Sequence, residues 1–191
     1  MKKKVLMGLV LLAIIGTSAV FAQAPTLDKL TFAASTAGYT AMQKDRNISG
    51  AVVIPDTYNN KPVIGVVTFG ANPNITSVTI PNSVTEIGIN AFYNCTGIKS
   101  ITIPASVTKI NNGAFRGCTN LTSVTFQGQA STTLNNAGDS LASASFDGDL
   151  GSKYQAGGPG TYTRTTTGRG SVWTKVGGQT VCPTCGGTGY I

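Results

Sequence analysis

At 191 residues, with 14 Lys and Arg against 7 Asp and Glu and no histidine, the chain has room for one domain of ordinary size and a formal charge of +7. The missing histidine excludes Ser-His-Asp triads, Cys-His dyads and histidine-ligated zinc, and removes the commonest general base. Only 11% of the residues are charged, so Thr, Ser, Asn and Gly must cover the surface, which suits strands and turns better than exposed helices.

Lys2 to Lys4 precede an apolar run from Val5 to Ile15, and small residues follow as far as Ala22 and Ala24. This is the pattern of a secretory signal peptide. Gly16, Thr17 and Ser18 interrupt the run before it reaches the length of a membrane span, so no span is expected after cleavage; a retained N-terminal anchor is the alternative. Cleavage is placed after Ala22, with Ala24 as the second candidate. Losing three lysines lowers the charge from +7 to +4 and leaves no basic cluster. Arg164 and Arg169 come nearest to one and read as a solvated loop, so no nucleic acid partner is expected. The expected location is secreted, periplasmic or cell surface.

Leu30-Thr31-Phe32 and Gly38 to Met42, joined around Ser35 to Gly38, predict a β-hairpin that covers the segment beginning near Gly50. From Ile75 the chain repeats itself. Ile75, Val78, Ile80, Pro81, Val84, Ile87, Phe92 and Cys95 recur 23 residues later as Ile98, Ile101, Ile103, Pro104, Val107, Ile110, Phe115 and Cys118. A third copy opens at Leu121-Thr-Ser-Val-Thr-Phe126 and breaks off. A looser copy lies upstream in Val52-Val-Ile-Pro55 and Val63 to Phe69, with Tyr58-Asn-Asn-Lys-Pro62 as a longer turn.

Alternation predicts that Val78 and Ile80 point inward from one strand while Ser77 and Thr79 point outward. A second short strand follows at Val84 to Ile87, and Asn90 to Asn94 reads as a helical turn whose Phe92 plugs the interior. The expected core is Val78, Ile80, Ile87, Phe92 and Cys95 in one coil and Ile101, Ile103, Ile110, Phe115 and Cys118 in the next. One coil cannot bury this set alone, so the coils must stack into a solenoid, and its ends need caps. Stacking in register places Glu86 beside Lys109.

With these positions filled, the repeat is similar to the BspA-like leucine-rich repeat, of the type Leu-x-Ser-Val-x-Ile-Pro-x-Ser-Val-x-x-Ile-Gly-x-x-Ala-Phe-x-x-Cys. The match is close over Ile75 to Phe126 and loose over Gly50 to Asn74. The resemblance implies a β-rich solenoid from a secreted or cell-surface bacterial protein that binds other proteins, and it brings no catalytic residues. The outward ribbon Ser77, Thr79, Ser100, Thr102, Ser123 and Thr125 is then the candidate partner-binding surface, for a host or envelope protein. Small hydroxyl residues are also good strand formers on any solvent face.

Beyond the repeats, Gln129 to Gly148 reads as a terminating loop and Phe146 to Leu150 as the opening of a short helix through Lys153 and Tyr154. Thr161 to Thr165 with Ser171 to Val176 reads as a second hairpin, anchored by Trp173. Asp147-Gly-Asp149 lacks the further ligands of a calcium loop and reads as a turn.

Cys95 and Cys118 share one repeat position and are expected as packed, inert thiols, although stacking on adjacent coils makes a disulfide between them geometrically conceivable. Cys182-Pro-Thr-Cys185-Gly-Gly-Thr-Gly resembles one half of a zinc ribbon. It fits a disulfide, a zinc ion shared between two chains in a tail-mediated dimer, or a redox dithiol; no other cofactor is expected. The chain thus divides into a signal peptide (1–22), an N-terminal cap hairpin (23–49), leucine-rich repeats (50–128), a linker and C-terminal cap (129–181) and a CxxC glycine-rich tail (182–191). The expected function is protein binding or adhesion by a non-enzymatic surface protein. A structural envelope component, self-associating through the tail, is the alternative.

Overall fold

A computed structural model describes residues 27–128, 145–167 and 170–177. The signal peptide, Arg169, most of the loop from Gln129 and the Cys182 and Cys185 tail lie outside the described residues.

Each 23-residue stretch holds two alternating apolar segments with a corner between them, and the chain turns at each corner. Proline sets the first corner: Pro81 and Pro104 have no N–H with which to continue a ladder. After a short 3₁₀ turn, the hairpin β1 (Leu30–Ala34) and β2 (Tyr39–Gln43) forms as expected, closed by the Ser35 N–H on the Gly38 carbonyl at 2.8 Å. The coils come next: β3 (Gly50–Val53), β4 (Thr57–Tyr58) and β5 (Lys61–Val66); β6 (Ile75–Thr79) and β7 (Glu86–Ile87); β8 (Ser100–Ile103) and β9 (Lys109–Ile110); and β10 (Ser123–Phe126). Helix α1 (Leu150–Gly157) and strands β11 (Gly160–Thr163) and β12 (Thr174–Lys175) complete the described chain.

Stacking the coils makes two faces. One carries a six-stranded sheet in the order β1-β2-β5-β7-β9, with β4 paired to β5. The other carries the ribbon, in two pieces, β3-β6 and β8-β10-β11-β12. Pairing between coils is parallel, as a solenoid requires, and Glu86 lies opposite Lys109 with Ile87 opposite Ile110. The Glu86–Lys109 ion pair spans 3.2 Å and is about half exposed, so it contributes only about 0.2–1 kcal/mol.

All ten expected core residues are buried. The phenylalanines form a column, with Phe69, Phe92 and Phe115 stacked at 5.4 and 5.3 Å. The column continues to Phe146, 4.8 Å from Phe115, and the Phe115 N–H donates to the Ser145 carbonyl at 2.7 Å. Ser145-Phe146 therefore occupies the plug position of a fourth coil, where the sequence suggests the end of a terminating loop and the opening of a short helix, which begins only at Leu150. The Asn90–Asn94 segment is a series of tight turns rather than a helical turn, because Asn90 and Asn94 have φ of 54° and 56° and interrupt any right-handed run. The next coil places Gly113 and Gly117 there, also at positive φ, and a Cβ on either would stand within 2.0 Å of the asparagine oxygen one coil below. Glycine meets both demands at these positions, the positive φ and the close approach; any other residue there would need the asparagine side chain to move aside.

The two ends are closed by polar side chains that take up orphan carbonyls. At the first coil Asn72 holds the position that cysteine fills in the next two, and its amide donates to the Ile48 and Arg46 carbonyls at 2.9 and 3.4 Å. At the far end β11 runs antiparallel to β10 and ends the parallel stack. Arg164 follows β11 and is buried, against the expectation of a solvated loop residue. Its guanidinium donates to the carbonyls of Leu121, Cys118 and Thr119 and to the Ser171 hydroxyl, and lies 4.8 Å over the Trp173 ring. The last coil's open carbonyls explain the burial: a guanidinium can satisfy several of them at once.

Candidate functional site: a groove on the ribbon face

Alternation along β6 and β8 buries Val78, Ile101 and Ile103 and exposes Ser77, Thr79, Ser100 and Thr102. On the far side of β8 the ladder is intact. The Lys99 carbonyl accepts from Thr122 and Ser123 at 2.9 and 3.3 Å, and the Ile103 carbonyl from Gln127 at 3.0 Å. Successive peptide groups alternate sides, so those of Ser100 and Thr102 face β6. Yet among the described residues no ladder joins β6 to β8, and the ribbon opens there.

The opening is a groove of about 570 Å³. Its floor is apolar, built from Ile54, Val78, Ile80 and Ile101 between Pro81 and Pro104, and its walls carry Val53, Ser77, Thr79, Ser100, Thr102, Asn82 and Gln127. Val78 and Ile80 keep 8% and 7% of their surface in water, whereas Val124, under the closed part of the ribbon, keeps none. Asp56 is the single charged residue of the lining. The arrangement offers hydrogen bonds, an apolar bed and one negative charge. Its size lies in the range of ligand pockets.

The six residues of the expected binding ribbon separate into two groups. Ser77, Thr79, Ser100 and Thr102 line the groove. Ser123 and Thr125 lie between β8 and β11, half-buried, with the Thr125 hydroxyl 2.9 Å from that of Thr161. The sequence reading missed Asp56, Asn82 and Gln127. Asp56 directly follows the Ile54-Pro55 corner of the looser upstream copy and Gln127 follows β10, the strand of the last, broken-off copy, so each sits at a recognisable edge of the repeat.

The remaining chemically distinctive residues serve the fold. The Cys95 thiol donates to the Phe69 carbonyl and the Cys118 thiol to the Phe92 carbonyl, both at 3.0 Å, and both are free. Burial pushes the Cys95 thiol up to about 11, and Cys118, more deeply buried, higher still. Neither thiolate forms near neutrality, so both should stay unmodified by a thiol reagent at pH 8 until the protein unfolds, whereas Cys182 and Cys185, if reduced, should react at once. Thiol titration in the presence and absence of urea checks this, and equal rates for all four would remove Cys95 and Cys118 from the core. Asp147 accepts from the Gly117 N–H at 3.0 Å and Asp149 from the Trp173 N–H at 2.7 Å. No three metal-capable side chains converge among the described residues, and no described helix is long and apolar enough to cross a membrane.

Comparison with known proteins places the repeats. The family described as BspA type leucine rich repeat region matches residues 36–146 in six copies. Among solved structures, a leucine-rich repeat protein from Bacteroides ovatus is 29% identical over 51% of this chain and 28% of its own, with a TM-score of 0.46. A leucine rich cell surface protein from Faecalibacterium prausnitzii is 35% identical over 51% of this chain and 30% of its own, with a TM-score of 0.43. A leucine rich repeat protein from T. pallidum is 18% identical over 51% and 68%, with a TM-score of 0.31. The matches thus span under a third of the first two structures. No curated protein matches this chain.

Proposed function

The chain belongs to the BspA type leucine-rich-repeat family, and from that premise we propose that it is an exported, surface-exposed or secreted binding protein that holds a segment of a partner protein in the groove between β6 and β8. The observation that carries this reading is the break in the ribbon. It leaves backbone groups of Ser100 and Thr102 without a ladder partner, directly over an apolar floor. An extended peptide segment supplies what such a place lacks: amide groups for the backbone and hydroxyls, an apolar side chain for the floor, and a lysine or arginine within reach of Asp56. Binding of this kind needs no catalytic group. Export is supported by the lysine-led apolar run at residues 2–15 and the small residues after it.

The test is a groove-filling substitution. Mature protein should be immobilised, exposed to extracellular-matrix and envelope extracts, and the affinity of a retained protein measured for the native chain, for Thr102→Trp and for the remote control Lys109→Ala. Filling the groove should weaken binding at least tenfold, while the control leaves it unchanged. Equal affinity for Thr102→Trp and the native chain would place the partner elsewhere. We propose in addition that the Cys182 and Cys185 tail lies outside this recognition, so that a Cys182→Ser, Cys185→Ser chain retains the same partner whether the native pair forms a disulfide or holds zinc.

A further inference from the structure

The β1 end of the six-stranded sheet carries a second surface. We infer that a second copy of this chain docks there, pairing antiparallel with the outer edge of β1 in a two-fold, head-to-head dimer centred on Phe32.

The backbone determines which groups are available. Lys29 accepts from the Lys44 N–H at 2.9 Å and the Ser35 N–H donates to Gly38 at 2.8 Å, so Lys29, Thr31, Ala33 and Ser35 turn their peptide groups toward β2. By alternation, Leu30, Phe32 and Ala34 turn theirs outward. An antiparallel copy about Phe32 sets Leu30 against Ala34 and Phe32 against Phe32. Every outward N–H and carbonyl of the strand then meets a partner, so the edge is complementary to itself.

Access and charge favour the same pairing. β3 and β5 form one coil, and β1-β2 stands two strands beyond β5, so the β1 edge projects past the end of the ribbon. Edge strands are ordinarily protected by a lysine, a proline, a bulge or brevity. Leu30–Ala34 has none of these, whereas β9, the edge at the other end of this sheet among the described residues, is two residues long and includes Lys109. A chain of net positive charge resists self-association. Here the meeting surface is neutral: Thr31 and Ala33 are exposed and small, and Asp28 and Lys29 of one copy fall opposite Thr36 and Ser35 of the other. On the remaining face Phe32 stacks on Tyr58 at 4.0 Å, and Tyr39 meets Tyr58 edge-on at 5.1 Å; all three rings are only partly buried. Bringing two Phe32 rings side by side covers the open flank of this aromatic cluster in each copy.

The experiment is sedimentation equilibrium on mature chains that carry Cys182→Ser and Cys185→Ser, which removes any contribution of the tail. These chains should interconvert between monomer and dimer with concentration. In the dimer, residue 31 faces residue 33 of the other copy. Thr31→Lys with Ala33→Lys therefore sets lysine against lysine and should raise the dissociation constant at least tenfold, whereas Thr31→Lys with Ala33→Glu sets lysine against glutamate and should restore the dimer. Both variants should keep the native circular dichroism. A monomer at every concentration, or a dimer that survives the paired lysines, would overturn the inference, and the opposite-charge variant keeps the test valid if the lysine pair misfolds.

Discussion

Phe115→Ala is expected to lower stability by about 3–5 kcal/mol, the range for emptying a buried aromatic position. Phe115 is 1% exposed and lies between two rings, 5.3 Å from Phe92 and 4.8 Å from Phe146. Its loss removes contacts on both sides and cuts the column that ties the last coil to the repeats. Domains have total stabilities of about 5–15 kcal/mol, so the substitution takes a large share of the total. Urea unfolding of the mature chain measures it. A midpoint close to that of the native chain would mean that the ring is not buried and that the 23-residue register is wrong. The exposed Glu86–Lys109 pair, about half in water, provides the low-effect comparison.

Arg164→Met should cost a similar amount, about 3–5 kcal/mol, for a different reason. Methionine keeps much of the apolar stem and deletes the guanidinium. That leaves the Leu121, Cys118 and Thr119 carbonyls and the Ser171 hydroxyl without the donors that now reach them, and takes a positive charge out of a buried place. Burial lowers the arginine's proton affinity and Asp147 opposes that shift, so the group works as a cation held by its neighbours. Arg164→Lys should recover only part of the loss, because an ammonium cannot span several acceptors in the plane that a guanidinium does. Thermal melts of the three chains check the order native, lysine, methionine. A methionine variant as stable as the native chain would show that the carbonyls have other partners.

Much of the solenoid was legible because repetition multiplies a weak signal. A single Ile-Thr-Ile-Pro means little, but Ile101-Thr-Ile103-Pro104 following Val78-Thr-Ile80-Pro81 at 23 residues fixes the strand, the corner and the facing of each side chain together. The Glu86–Lys109 contact followed from register alone. Arg164 was not legible in the same way, since nothing local distinguishes an arginine that reaches back to residues 118–121 from one in a solvated Thr-rich loop. Phe146 was hidden by the long segment that separates it from Phe126, although Ser145-Phe146 echoes the Ala-Phe of the earlier coils. The helical turn at Asn90–Asn94 gave way to tight turns because both asparagines take positive φ, which asparagine does more readily than most residues, a signal the reading of the repeat passed over.

The candidate site was legible only in part. Alternation identified Ser77, Thr79, Ser100 and Thr102 as outward-facing, but it treated Ser123 and Thr125 identically. What separates them is the pairing of the neighbouring strands: β10 is paired on both sides, by β8 and β11, whereas the ladder is interrupted between β6 and β8. Neither is written in the 23-residue pattern.

The proposed binding role stands on a ribbon that is open between β6 and β8 and closed between β8 and β10, and amide hydrogen exchange in the free protein reads this directly. The Ser100 and Thr102 amides, which face the groove, should exchange much faster than those of Ser123 and Gln127, which donate to β8, and a bound partner should slow the first pair alone. Equal protection of all four amides in the free protein would contradict it, because the ladder would then be continuous and the groove would not exist.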